Sequence, residues 1–285
     1  MATLQILEHC TASRTSTTST RSDTHVYSYP AHASSPPNLL RLTSDSLQPD
    51  GTVFVDLEFV EEALGLPGVD GYGWARFEFG QAIGPNNRYT IQRKLGWGMY
   101  SSTWLARDNE ESKYVAVKAL TGYSTELHEK GLAYWEPQAL HFLGNSPPHC
   151  IPLLAQFNEV GIGEDGPHRC LVTPLYGGDV SALLKGHKGV PLRLSKLILL
   201  HILRGIAHAH SCSIVHTDLK PDNFFFEATM TTAEIEKWLE VNPPRRNPPE
   251  MSKHEMIQSA VSQPLPMISV EDAQTIKFSL YIFGY

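Results

Sequence analysis

Apolar and polar residues alternate over residues 89–95, 103–107 and 114–120, most clearly at Val115 and Val117. That two-residue period predicts three strands, each with one buried face. Gly96 and Gly98 break the pattern after the first strand, and the polar stretch from Asp108 to Lys113 separates the second from the third. A helix is predicted over residues 125–143. Two more strands follow at 153–157 and 170–174, with a turn from Gly161 to Gly166 between them. Residues 180–184 and 192–210 read as helices. In the second, Leu194, Leu197, Ile198, Leu200, Ile202, Leu203 and Ile206 cover more than half the circumference, wider than the single stripe a surface helix needs. Phe224, Phe225 and Phe226 form a short apolar strand, and residues 275–280 another. Strands and helices in this mixture indicate an α+β chain.

Between these elements the pattern lapses. Residues 1–50 are poor in apolar side chains and rich in Ser, Thr and Pro, so a disordered tail is expected. Residues 51–88 place apolar and aromatic side chains between Gly and Pro breaks and read as a lead-in that packs on the first strands. Residues 227–273 form a spacer. Pro243, Pro244, Pro248 and Pro249, with Arg245 and Arg246, make its middle non-helical, and a disordered insertion is expected there.

Composition narrows the class. The 285 residues are 41% hydrophobic, enough for one sizeable domain or two small lobes. A formal net charge of -7 argues against nucleic-acid binding through bulk charge. Cys10, Cys150, Cys170 and Cys212 form no C-x-x-C pair, and the histidines lack metal-ligand spacing. Reduced thiols and a cytoplasmic or nuclear setting fit. No apolar run approaches the ~18 residues that would span a membrane.

Three patterned segments carry candidate chemistry. Behind a short apolar strand stand Asp218, Lys220 and Asn223, in the order Asp218-Leu219-Lys220-Pro221-Asp222-Asn223. This is the catalytic-loop layout of protein kinases. There an Asp receives the proton of a substrate hydroxyl, a Lys neutralises the phosphoryl group in transfer, and an Asn holds a metal on the phosphates. Upstream lie the glycine turn Leu95-Gly96-Trp97-Gly98-Met99-Tyr100-Ser101 and the strand Val115-Ala116-Val117-Lys118. Glycines let backbone amides approach phosphates, and an inward strand Lys pairs with them. The ordered set predicts a bilobal, protein-kinase-like fold, with a small β-rich lobe and an incomplete helical large lobe.

The chain also resembles the SR-protein kinases, a serine/threonine kinase family, and especially their fungal relatives. The residues that carry this are Lys94-Leu95-Gly96-Trp97-Gly98 with Ser101 and Trp104, His208-Ala209-His210, His216-Thr217-Asp218, and Ala260-Val261-Ser262-Gln263-Pro264-Leu265-Pro266. The resemblance implies a small lobe and hinge over residues 89–178 and a partial large lobe over 179–285. It implies ATP and Mg²⁺ as cofactors and a protein substrate, Arg-Ser-rich, with no nucleic acid or membrane as direct partner. Asp218 and Lys220 would be catalytic and Asn223 a metal ligand. The nucleotide would meet Leu95, Gly96, Trp97, Gly98, Met99, Tyr100, Ser101, Ser102, Thr103, Ala116, Lys118, Glu136, Thr173 and Leu175, with Thr173 guarding the back of the adenine pocket.

The chain departs from the family pattern in three places. Ile282, before Phe283 and Gly284, stands where a metal-binding Asp belongs, and Ile offers Mg²⁺ no oxygen. The sequence stops there, and a C-terminally truncated kinase is the expectation. Glu136 is the partner that alignment gives Lys118, but Pro137 follows it, and Glu126 and Glu129 are alternatives. Two readings follow. One is an ATP-dependent serine/threonine kinase of the SR-protein type. The other is an inactive truncated kinase or pseudokinase that binds nucleotide or a partner protein.

Overall fold

The computed structural model describes the backbone of residues 25–30 and 52–57, and residues 59–132, 136–253 and 255–282 in full. The chain divides into two units. The first, residues 1–33 with 42–58, contains strands β1 (His25–Pro30) and β2 (Thr52–Leu57), paired antiparallel. Apart from β1, the tail expected to be disordered lies outside the described residues.

The second unit holds everything described from Phe59 onward. Its main sheet comprises β3 (Ala82–Ile83), β4 (Tyr89–Gly98), β5 (Ser101–Asp108), β6 (Lys113–Leu120), β7 (Ala155–Glu159) and β8 (His168–Pro174), in the order β3-β4-β5-β6-β8-β7. Cross-strand partners share a face, so the register sorts the side chains. Trp104, Val117 and Val172 lie in one row, and Ala106 and Val115 in another, both within a buried core that also takes in Phe77 and Tyr89. Thr103 with Lys118, and Leu105 with Ala116 and Thr173, take the opposite face.

In place of the single helix predicted over 125–143 there are two segments, α1 (Gly122–Glu129) and α2 (Glu136–Phe142). Gly131, at φ 65°, donates to the His128 carbonyl and stops α1, as glycine does in the left-handed region. Pro137 sits in the first turn of α2, where its missing N–H costs nothing.

The remaining elements are β9 (Tyr176–Asp179), α3 (Val180–Leu184), α4 (Leu192–Ser211), β10 (Phe224–Glu227), α5 (Thr232–Val241), β11 (Glu250–Met251), β12 (Met256–Ile257) and β13 (Phe278–Leu280). β13, β10 and β9 form a three-stranded sheet. α4 buries Leu194, Ile198, Ile202, Gly205 and Ala209, while Leu199 and Leu203 are 60% and 62% exposed. Its excess apolar face therefore lies at the surface. Gly205 is there for space, since a Cβ would come 2.5 Å from the His149 carbonyl oxygen.

The spacer overturns the expectation of a disordered insertion. Thr231 caps α5 in a reciprocal box with Glu234. The Pro-rich stretch after α5 is extended, and its neighbours bond laterally: Asn247 N–H to Ser259 O, Val261 N–H to Arg245 O, and Gln263 N–H to Lys94 O, each 2.9 Å. Proline forbids a helix here but not this pairing, because the amides in use belong to other residues.

Candidate active site

Lys118 reaches the site from β6, on the face opposite the apolar core. Its Nζ donates to both carboxylate oxygens of Glu136, at 2.7 and 2.9 Å. The alternative partners are engaged elsewhere: Glu126 pairs with Lys130, and Glu129 lies against Asn158 and Arg169. Pro137 does not disrupt the pairing, because Glu136 opens α2 rather than interrupting it.

A third group joins this pair. The Tyr281 hydroxyl donates to Glu136 Oε1, and the Tyr281 ring centroid lies 4.8 Å from Lys118 Nζ. Burial, and then the neighbouring Glu136 carboxylate, hold the Tyr281 phenol well above its ordinary pKa. It is therefore a neutral donor at any physiological pH. The Tyr281 backbone faces the other half of the site. Its N–H donates to Asn223 O at 2.9 Å, and its carbonyl accepts from His216 Nε2 at 2.7 Å.

That last bond fixes the His216 tautomer. Nε2 carries the proton, leaving Nδ1 to accept from the Asp218 N–H at 3.3 Å. The Asp218 N–H also bonds His216 O at 2.6 Å across Thr217, whose φ is 53°. A β-branched residue held at positive φ costs about 1–3 kcal/mol, strain of the kind found at functional loops. The carboxylate end of Asp218 meets Lys220 Nζ at 2.8 Å, and Asn223 Nδ2 donates to the Asp218 carbonyl at 2.7 Å and to Oδ2 at 3.3 Å. The hydrogen bond from Lys220 is the main cause of the lowered Asp218 pKa, and it outweighs partial desolvation. Asp218 is an ionised acceptor at neutral pH.

The glycine turn spans the end of β4 and the start of β5. Gly96 is paired with Thr103, Trp97 with Ser102, and Gly98 with Ser101; Met99 and Tyr100 form the tip. A Cβ on Gly96 or Gly98 would meet nothing within 4 Å, and neither has a φ that favours glycine. Neither crowding within the chain nor backbone conformation accounts for these two glycines.

Thr103, Ala116, Lys118 and Thr173 share the face away from the core, as the register requires. Of the other residues expected in the nucleotide site, Ser102 lies on the opposite face. Ser102 is fully buried, its hydroxyl accepting from Trp104 Nε1 at 2.9 Å. It stands one residue out of phase with Thr103, on the core face. Leu175 lines two cavities, of about 450 and 250 Å³, together with Pro174 and Ala228. Leu95 lies in β4 next to the register irregularity between Lys94 and Gly96.

Ile282 is fully buried in the apolar cluster with Leu140, Ile198 and Leu280, and Phe283 and Gly284 lie outside the described residues. Among the described residues no group of three or more His, Cys, Asp and Glu could hold a metal ion. Asn223 offers one amide oxygen, and Mg²⁺ wants a near-octahedral oxygen set. The described side chains do not supply that set.

Sequence reasoning missed Tyr281. It lies buried in the same apolar cluster as Phe278, Leu280 and Ile282, so nothing in the local pattern sets it apart from a core residue.

A Lys on a six-stranded sheet paired with a Glu on a following helix, together with an Asp–Lys–Asn loop, defines the class, and the comparison of sequences agrees. The protein kinase domain family matches residues 89–235, and the chain belongs to that family. Among curated relatives it is 35% identical over 147 residues to protein kinase dsk1 of Schizosaccharomyces pombe, covering 48% of this chain and 26% of that protein. It is 35% identical over 151 residues to serine/threonine-protein kinase SKY1 of Saccharomyces cerevisiae, covering 49% and 20%. It is 29% identical over 192 residues to human SRSF protein kinase 3, covering 61% and 33%. These relatives support the resemblance to SR-protein kinases. The chain spans a third or less of the length of each. Members of the protein kinase family use ATP and Mg²⁺ in general.

Proposed function

We propose that this chain carries the nucleotide-binding lobe and catalytic loop of an ATP-dependent serine/threonine kinase of the SR-protein type. The observation that carries the reading is the Lys118–Glu136 ion pair, tied through Tyr281 to the loop that bears Asp218. Lys118 holds the α- and β-phosphates, and Gly96 and Gly98 leave room for the phosphates under the turn. The ionised Asp218 accepts the proton of a substrate serine hydroxyl. The hydroxyl oxygen then bonds the γ-phosphorus, the bond to the bridging oxygen breaks, and ADP departs. Lys220 neutralises charge on the phosphoryl oxygens in flight. Catalysis of this kind is mostly positioning and electrostatics.

Thr103, Ala116 and Thr173 border the nucleotide, and Asn223 would offer a metal no more than its one amide oxygen. The substrate is a protein with Arg-Ser-rich sequence, and the setting is cytoplasmic or nuclear. No described helix is long and apolar enough to cross a membrane.

A second reading, a nucleotide- or partner-binding kinase fold without transfer activity, is favoured by one observation: the Tyr281 hydroxyl and ring occupy the neighbourhood of Lys118 and Glu136, and Ile282 brings no acid. Incubation with γ-labelled ATP and an Arg-Ser-repeat peptide separates the two. Transfer that Asp218→Asn removes supports the enzyme. Nucleotide binding without such transfer supports the second reading.

A further inference from the structure

Trp74, in the lead-in before the first kinase strand, is 5% exposed, and its indole Nε1–H donates to the Gly98 carbonyl at 3.0 Å. Its ring meets Trp97 edge-on, with centroids 6.4 Å apart and planes at 88°. Trp97 is paired with Ser102, on the core side of the sheet, while the neighbouring pair of Gly96 with Thr103 belongs to the Lys118 side. Trp74 therefore grips the glycine turn from behind, away from the face on which Lys118 stands.

The root of the same strand is held too. Lys94 is fully buried. Its Nζ donates to Glu61 at 3.1 Å, to Glu62, and to the Ala260 carbonyl at 3.1 Å. Glu61 also accepts from the Ser262 amide and hydroxyl, at 2.9 and 2.8 Å. The lead-in thus fastens β4 at Lys94 and again at Gly98, and the segment between is the glycine turn. A buried Lys with this set of acceptors is costly to place unless all are satisfied. A tryptophan donor on a turn carbonyl fixes the plane of the peptide that follows, and with it the direction of the next amide.

We propose that Trp74 is a positioning residue for the glycine turn: by holding the Gly98 carbonyl back, it aims the turn's amides at the phosphates of a bound nucleoside triphosphate. The functional half rests on the nucleotide-site reading above. The mechanical half, that Trp74 immobilises the turn, does not.

Replacement of Trp74 by Phe keeps a ring and removes the donor. Replacement by benzothienylalanine keeps both fused rings and puts sulfur in place of the N–H, so it isolates the donor even if Phe loosens the fold. In the nucleotide-free chain, either change should speed amide exchange at Met99, Tyr100 and Ser101 and leave β6 unaffected. ATP affinity should fall about three- to tenfold, the worth of one hydrogen bond, with adenosine affinity unchanged. Unchanged exchange in the turn would overturn the proposal, as would parallel losses for ATP and adenosine. If the unmodified chain binds neither ligand, the nucleotide reading fails, and exchange at the turn alone decides whether Trp74 holds it.

Discussion

Tyr281, Glu136 and Lys118 form one buried unit with a single positive and a single negative charge. Removing the negative partner strands the ammonium, whose side chain is only 13% exposed. Glu136→Gln should therefore cost about 3 kcal/mol, the lower end for breaking a buried pair. Tyr281→Phe removes one donor from a carboxylate that keeps its Lys, and should cost about 1 kcal/mol. Urea unfolding of both variants checks the order, and a larger loss for Tyr281→Phe would contradict this account of the pair.

His168 gives a pH prediction. Its Nδ1 donates to Leu120 O at 3.1 Å, Nε2 is buried without a hydrogen-bond partner among the described residues, and burial pushes the imidazole down to about 4. Between its ordinary value of 6.5 and about 4, the unfolded chain binds a proton that the folded chain refuses. Stability must then fall as pH drops through that window, by up to about 3 kcal/mol from this residue. Urea midpoints measured from pH 7 to pH 4 should show the decline, and His168→Gln should make it shallower without abolishing it, since burial also pushes His201 down to about 4.

At the scale of elements, the lead-in, α1 and the turn between β7 and β8 meet around one backbone oxygen. A Cβ on Gly122 would lie 1.7 Å from Asp165 O, and one on Gly73 2.1 Å from the same atom. Arg76 adds ion pairs to Asp165, at 2.5 Å, and to Glu255 in the spacer, at 2.6 Å. Gly122→Ala must push these segments apart and should destabilise the chain by about 1–3 kcal/mol; a melting temperature equal to the parent's would show that the junction yields freely.

The spacer is held by the same logic. The Arg93 guanidinium lies 4.0 Å from the Trp238 ring, and Arg246 reaches Phe77 O, Glu78 and Gln258 O. Trypsin should cut slowly after Arg245 and Arg246 in the native chain and rapidly in urea. Rapid native cleavage there would contradict a docked spacer.

The strands of the main sheet were legible because alternation such as Val115 and Val117 is local and survives in the sequence. The Asp218 loop and Lys118 were legible because their spacing is set by chemistry rather than packing. The spacer was not, since its order comes from partners as distant as Lys94, Glu61 and Phe77. Pro-rich composition reports on the absence of helix and is silent on such pairing. Ser102 was misplaced by one residue of register, which in a strand means the opposite face.

Taken as a whole molecule, the second unit assembles a Lys–Glu pair, an open glycine turn and a strained Asp-bearing loop, with a net charge of -7 on the full chain. Long-range attraction will not bring an anionic nucleotide to such a surface, so affinity must come from local contacts. The most direct measurement is calorimetric titration of ATP into the chain and into Lys118→Met. The account predicts binding by the parent chain and a loss of about tenfold or more in the variant, as expected when a charge-assisted hydrogen bond to phosphate is removed. Equal ATP affinity in the two proteins would place the phosphates away from Lys118 and contradict the assignment of this cleft as the nucleotide site.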